Sequence, residues 1–310
     1  MEKIICVAGP TASGKTKLAV ELAKAYNGEV LSCDSMQIYK GMTIGTAAPT
    51  PEETQGVPHH MIGVVSPSED FSVGKYVEMA EPVLQDILSR GKTCVVCGGT
   101  GLYAESLLLG RSFAPCPSTG VREKLELEAR QQGIEPLLER LNAVDPEAGT
   151  RLHPSDQRRI IRALEVYLET GETISEHNRK TKLLPPKHEA VWIGLSFENR
   201  QDLYARIDLR VEKMLEAGLL DEIRALLSSG ISPTATAMQA IGYKEYVDAL
   251  THGGDLAAAT ALVQQRSRNY AKRQLTWLRR SEQMHWILQP RNPDFSAVFQ
   301  QACHEIPFFA

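Results

Sequence analysis

The segment Gly9-Pro10-Thr11-Ala12-Ser13-Gly14-Lys15-Thr16 constrains this chain more than any other. It follows the apolar run Ile4-Ile5-Cys6-Val7-Ala8 and opens the amphipathic run Lys17–Lys24, so the local order is strand, glycine-rich loop, helix. The spacing G-x-x-x-x-G-K-[ST] is that of a phosphate loop. Its glycines let successive backbone N–H groups turn toward one point, and the helix N-terminus that follows adds positive potential there. Lys15 supplies a cation, and the Thr16 hydroxyl stands where a Mg²⁺ ligand is needed. Such a loop binds a phosphorylated ligand. It does not say that the ligand is ATP.

Two further runs, Gly28–Asp34 and Lys92–Gly98, read as strands, and Ala190–Ser196 reads as a later strand of the same sheet. Each is continuously apolar, as expected where helices cover both faces of a parallel sheet. Between the second and third strands, Ser72–Arg90 has apolar residues at helical spacing and stops at Gly91. The predicted fold is therefore α/β, with a P-loop NTPase-like parallel sheet and right-handed crossovers. From 118 to about 182 the pattern turns wholly helical, with predicted helices at Val121–Gln131, Pro136–Asn142 and Gln157–Glu169. A helical block between two strands of one sheet predicts an inserted subdomain over 118–183, with residues 1–117 and 184–310 forming the core. C-terminal helices are expected at Asp202–Ala217, Leu219–Leu227, Met238–Leu250 and Asp255–Arg280; the stretch from Gln289 carries no pattern.

A chain of 310 residues can bury a large core. No apolar run is long enough to cross a bilayer, and with a strand this close to the first residue no targeting peptide is expected. The six cysteines are too sparse for a disulfide scaffold, and Cys94-x-x-Cys97 sits in an apolar run that reads as a buried strand. A cytoplasmic protein with reduced thiols is expected. The formal net charge of −4 argues weakly against a nucleic-acid partner, but the distribution argues the other way. Arg266, Arg268, Lys272, Arg273, Arg279 and Arg280 follow one another without an intervening acid, and Arg151, Arg158, Arg159 and Arg162 form a second basic group. Either group alone reads equally well as a solvated helix face.

Asp34 ends the second strand, at the carboxyl edge where doubly wound sheets bind ligands. It suits a water-mediated Mg²⁺ contact, a general base over an acceptor, or a turn cap. The Gly98-Gly99-Thr100-Gly101 turn ends the third strand without an acid, so it is no ordinary Walker B element; Thr100 offers a hydrogen bond at the same crevice. Arg206 and Arg210 lie one helical turn apart and either clamp a diphosphate or stay solvated, the latter favoured by spacing alone. Gln239, Gly242, Tyr243 and Lys244 combine an amide, a flexible glycine, an aromatic and a cation, which suits bases and phosphates, though a packed tyrosine reads as well. His59-His60 resembles a metal pair only superficially, because adjacent side chains point apart.

Taken together these motifs resemble the bacterial tRNA dimethylallyltransferase family, also called tRNA isopentenyltransferases. The resemblance rests on Gly9–Thr16, Asp34-Ser-Met-Gln-Ile-Tyr-Lys-Gly-Met, Ile44-Gly-Thr-Ala, Pro58-His-His-Met and Gly98-Gly-Thr-Gly-Leu-Tyr. It continues through Arg151-Leu-His-Pro-Ser-Asp, Arg159-Ile-Ile-Arg-Ala-Leu-Glu-Val, Arg206-Ile-Asp-Leu-Arg210, Gln239-Ala-Ile-Gly-Tyr and Tyr270-Ala-Lys-Arg-Gln-Leu-Thr-Trp-Leu-Arg279. It implies transfer of a dimethylallyl group from dimethylallyl diphosphate to N6 of the adenosine 3′ of the anticodon. By that resemblance Asp34 is the base, Thr100 and Arg210 assist, Gly9–Thr16 hold the diphosphate and Thr16 carries Mg²⁺. Asp34, Ser35, Met36, Gln37, Thr100, Arg122, Gln157, Arg158, Arg159, Ile160, Ile161, Gln239, Gly242, Tyr243 and Lys244 would contact the tRNA anticodon stem-loop, and the enzyme would act as a monomer. Two positions depart from the family pattern: Ala48 stands where Lys is usual, and Gly63 where Asp is common. The competing readings are a P-loop small-molecule kinase, a nucleotide-gated RNA-binding module, and an enzyme prenylating free AMP.

Overall fold

Six parallel strands form the single sheet of the computed structural model, which describes residues 2–110, 113 and 119–306. In chain order they are β1 (Ile4–Ala8), β2 (Gly28–Ser32), β3 (His59–His60), β4 (Thr93–Gly98), β5 (Val191–Phe197) and β6 (Met284–Gln289). Their spatial order is β3-β2-β4-β1-β5-β6. β1 is therefore central, with Ala8 in register with Gly98 on one side and Gly194 on the other. The phosphate loop leaves the carboxyl end of this middle strand, and the segments after β2 and β4 emerge at the same edge. This is the geometry that makes a ligand crevice in an open parallel sheet.

Alternation along β1 sorts its side chains between two cores. Ile4, Cys6 and Ala8 pack with the helices Val73–Ser89 and Gly101–Leu108, while Ile5 and Val7 pack with Lys15–Ala25 and the terminal helix Phe295–His304. The helix Val73–Ser89 starts where Ser72 accepts the Lys75 N–H and ends before Gly91, which takes φ 70°. Cys6, Cys33, Cys94 and Cys97 are buried free thiols; Cys116 and the expected subdomain boundary at 117/118 lie outside the described residues.

The C-terminal segment differs from the expectation of helices alone. Met284–Gln289 adds the sixth strand, pairing with β5 from Trp192↔Met284 to Phe197↔Gln289, and Phe295–His304 closes one face. Met284, Ile287 and Gln289 of this edge strand are buried while His285 and Leu288 are exposed, so it lacks the continuously buried apolar run that marks the inner strands. The expected helix Met238–Leu250 is also broken. A 3₁₀ turn at Ala237–Gln239 precedes a helix that begins at Tyr243, because Gly242 sits at φ 97°, outside helical geometry.

At the far end of β2 the buried Glu29 accepts two hydrogen bonds from Arg90, at 2.6 and 2.8 Å, and others from Lys92 and His60. The Arg90 guanidinium, then Lys92 and His60, outweigh burial and hold its carboxyl well below the usual range. A group with a lowered native pKa contributes stability above its ordinary range and loses it as pH falls. Glu29→Ala should therefore cost about 1–3 kcal/mol at neutral pH, a difference that shrinks as urea denaturation is repeated at progressively more acidic pH. A cost that did not change with pH would contradict this ionic origin. His59 bonds instead to the Val57 carbonyl, so the two histidines do diverge, and no metal-binding cluster occurs among the described residues.

The chain divides into two compact units, Met1–Leu108 with Lys187–Ala310, and Leu109–Pro186. The second unit contains the helices Val121–Gln132, Glu135–Val144, Pro146–Arg151, Gln157–Thr170 and Ile174–Lys182. Leu125, Leu137, Leu141, Ile160 and Leu164 form its core. Asp145 caps one helix through the Ala148 N–H and reaches the Ser175 N–H with its other oxygen.

Candidate active site

The phosphate loop is held open by backbone geometry that few residues tolerate. Gly14 takes φ 91° at the start of the helix Lys15–Ala25, and Ala12 takes φ 64°. A Cβ on Gly9 would lie 2.5 Å from the Leu195 carbonyl oxygen, so only glycine lets the loop pass this close to β5. The Gln289 amide, at the end of β6, donates to the Ser13 carbonyl at 2.9 Å, and Arg206 Nε donates to the Ala12 carbonyl at 3.1 Å.

Lys15 Nζ donates to the Pro10 carbonyl at 2.7 Å, folded over its own loop. Desolvation lowers its pKa to about 8; Arg210 pushes the same way, while Asp34 opposes. Arg210 is half-buried and feels Asp34 electrostatically, with desolvation again lowering its pKa from the ordinary value. Spacing favoured solvated arginines at 206 and 210. The structure corrects this for Arg210, which is half-buried and interacts electrostatically with Lys15 and Asp34, whereas Arg206 stays exposed while its Nε reaches the phosphate loop beside the helix Arg200–Glu216.

Asp34 lies two residues beyond β2 rather than within it. Its Oδ1 accepts from the Met36 and Gln37 N–H groups, at 2.9 and 3.3 Å, so it does cap a turn. These bonds fix a carboxylate that interacts electrostatically with Lys15 and Arg210, and a turn cap and a chemical role are thus compatible. Thr100 Oγ1 accepts from the Ser35 N–H at 3.2 Å, which ties the ends of β4 and β2 together. Burial raises the Cys97 thiol to about 11, so it stays neutral beside the site.

Several of the remaining predicted residues hold architecture. Gln37 donates to the Thr46 and Ala47 carbonyls, at 3.3 and 3.1 Å, and accepts from Ser32 Oγ. Tyr243 is fully buried, with its hydroxyl on Glu222 at 2.6 Å, so the packed-tyrosine reading is the one the structure adopts. Glu222 also accepts from the Thr43, Ile44 and Gly45 N–H groups and so fixes the loop after Asp34, a role no sequence motif signalled. Gly45 is required there, since a Cβ would meet the Tyr243 ring at 2.4 Å. Gly242 N–H donates to Glu245, while Gln239 and Lys244 are exposed. Gly63 adopts φ 59°, a conformation that glycine takes without strain.

In the helical unit, Gln157, Arg158 and Arg159 are exposed at the start of their helix, but Ile160 and Ile161 are buried in the unit's core. Arg122 is bonded through Nε and Nη2 to Glu165, which Arg162 also engages. Arg151, Arg158, Arg159 and Arg162 surround a cleft of about 310 Å³ floored by Leu152, Ala163 and Ile174. Within the helix Leu256–Leu278, by contrast, Arg266 pairs with Glu245 and Arg268 with Asp208, which shortens the expected basic face.

The geometry can be set against known proteins. The IPP transferase family model matches residues 37–281, and an isopentenyl transferase model matches residues 2–62. A tRNA dimethylallyltransferase of Acetivibrio thermocellus is 44% identical over 288 residues, 93% of this chain and 92% of that protein. The crystal structure of a tRNA isopentenylpyrophosphate transferase from Bacillus halodurans aligns with a TM-score of 0.73 and 38% identity, covering 99% of this chain and 97% of the other. A eukaryotic dimethylallyltransferase captured acting on tRNA aligns with a TM-score of 0.82 at 29% identity, covering 98% of this chain and 77% of that one. The chain belongs to the IPP transferase family, whose curated members at this similarity are tRNA dimethylallyltransferases.

Proposed function

We propose that this chain transfers the dimethylallyl group of dimethylallyl diphosphate to N6 of the adenosine immediately 3′ of the anticodon in tRNA, with release of diphosphate. The observation that carries this reading is the meeting, at one sheet edge, of a phosphate loop with Lys15 and Arg210 and of a fixed carboxylate, Asp34, braced near Thr100. The two halves match the two halves of the reaction. As the allylic C–O bond breaks, negative charge grows on the diphosphate, and the loop amides, Lys15 and Arg210 stabilise it. The adenine amine is a weak nucleophile, and Asp34 accepts its proton as the new C–N bond forms. Thr100 orients the acceptor side.

The described residues offer no carboxylate cluster for a metal, so a hard cation would sit on the Thr16 hydroxyl, diphosphate oxygens and water, a donor set that fits Mg²⁺. When bound, Mg²⁺ neutralises charge on the departing diphosphate.

An adenine stacked in an anticodon loop cannot reach a crevice at a strand edge, so the base is flipped out of the loop. Ser35, Met36, Gln37, Gln239, Gly242, Tyr243 and Lys244 surround this base and its neighbours; buried Tyr243 contributes by shaping the loop rather than by stacking. Arg122 and the Gln157–Ile161 turn contact the stem-loop, with the exposed Gln157, Arg158 and Arg159 supplying the side-chain contacts. No helix among the described residues is long and apolar enough to cross a membrane, and we place the enzyme in the cytoplasm as a monomer.

The test is direct. The protein is incubated with Mg²⁺, labelled dimethylallyl diphosphate and an anticodon stem-loop carrying adenosine after the anticodon. Label in the RNA, absent when that adenosine is replaced by guanosine, is expected. Hydrolysis of ATP without label transfer would favour a P-loop kinase or ATPase and overturn this reading.

A further inference from the structure

Gln274, on the helix Leu256–Leu278, has a side chain that no step above uses, yet it is only 6% exposed and fully engaged. Its amide oxygen accepts the Thr11 N–H at 2.9 Å, and its amide nitrogen donates to the Gly99 carbonyl at 3.0 Å. Only one amide orientation satisfies both, since a backbone N–H cannot accept and a carbonyl cannot donate. The first contact lies on the diphosphate loop and the second on the residue before Thr100. A Cβ on Gly99 would stand 2.1 Å from the Gln274 nitrogen, so the glycine is what admits this contact.

Resting on the function proposed above, we infer that Gln274 is a positioning residue that sets the spacing between the diphosphate cradle and the acceptor-side turn at Gly99–Thr100. These are two loops leaving adjacent strands, β1 and β4, bridged by this one side chain, and each carries one partner of the proposed reaction. Displacement in an ordered site changes rate far more than binding, because each substrate still meets its own loop while the reacting atoms no longer align. The Thr11 N–H is also spent on Gln274, so the diphosphate depends on the other loop amides and on Lys15.

Gln274→Met keeps the length and removes both hydrogen bonds. Its single-turnover transfer rate should fall about a hundredfold while KM for dimethylallyl diphosphate stays within about threefold. Gly99→Ala, which pushes the amide away, should show the same split. Gln274→Glu keeps the acceptor for Thr11 but sets a carboxylate against the Gly99 carbonyl; protonation restores the donor. Its rate relative to wild type at the same pH should therefore recover as the pH is lowered, a signature that loss of packing would not produce.

Four results decide the matter. If wild type itself transfers no label, the functional reading fails and takes this inference with it. If wild type transfers and Gln274→Met transfers equally well, the inference alone fails. Parallel loss of rate and of diphosphate affinity, by the same factor, also overturns it, since Gln274 then merely holds the cradle together. Should the Met variant not fold, the pH dependence of the Glu variant decides, and a flat ratio to wild type overturns the inference.

Discussion

Asp34→Asn should slow prenyl transfer by about two to four orders of magnitude while leaving affinity for the anticodon stem-loop nearly unchanged. The substitution is close to isosteric, and an asparagine oxygen can still accept from the Met36 and Gln37 N–H groups, so the turn that follows β2 survives. What is lost is the carboxylate to which the proposed mechanism assigns the amine proton. Single-turnover label transfer, measured beside stem-loop binding, separates the two. A variant that binds RNA normally and still turns over at a tenth of the wild-type rate or better would remove Asp34 from the role of base. Asp34 also interacts electrostatically with Lys15 and Arg210, so the same variant leaves their charge less balanced. Tighter binding of inorganic diphosphate by Asp34→Asn is therefore expected, together with slower chemistry.

Lys15→Met is the second large effect, a loss of about a hundred- to a thousandfold in transfer, the scale of removing one preorganised donor at a site of developing charge. The wild-type residue carries a pH signature as well. Burial lowers Lys15 to about 8 in the free protein. A bound diphosphate favours the cation and raises that value again, so complex formation takes up a proton once the free lysine begins to deprotonate. Diphosphate affinity is accordingly highest below pH 8 and falls with rising pH, at most about tenfold per unit. Calorimetry in two buffers of different ionisation enthalpy should register this uptake near pH 8.5 for wild type and lose it in Lys15→Met. Equal proton uptake in the two proteins would place the titrating group elsewhere.

Both effects depend on residues legible in the sequence, and the reason is local. Gly9–Thr16 and the segment after β2 are short motifs whose backbone requirements are written in consecutive residues: Gly14 needs positive φ, Lys15 begins the helix, and Asp34 caps the turn it opens. The inner strands were legible too, because burial on both faces leaves an unbroken apolar run. The edge strand Met284–Gln289 was not, since its buried residues, Met284, Ile287 and Gln289, follow neither an unbroken apolar run nor a strict alternation. Nor was the start of the helix at Tyr243, where Gly242 interrupts an otherwise helical pattern.

The partners that turn these motifs into a site lie far away in the chain. Gln274 and Gln289 brace the phosphate loop across more than two hundred residues, and Glu222 gathers the N–H groups of Thr43, Ile44 and Gly45. Arg210 shows the limit most plainly: spacing on its helix suggested a solvated face, yet that helix packs against the loop and sets the guanidinium among the charges of the site. The sequence by itself determined the parallel α/β class, the phosphate-loop cradle and the carboxylate that caps the turn after β2, because period, turn chemistry and helix starts are properties of neighbouring residues. Only the tertiary structure decided which glutamine, arginine and glutamate hold that cradle in shape, because hydrogen-bond partners brought together by strand order leave no spacing in the chain.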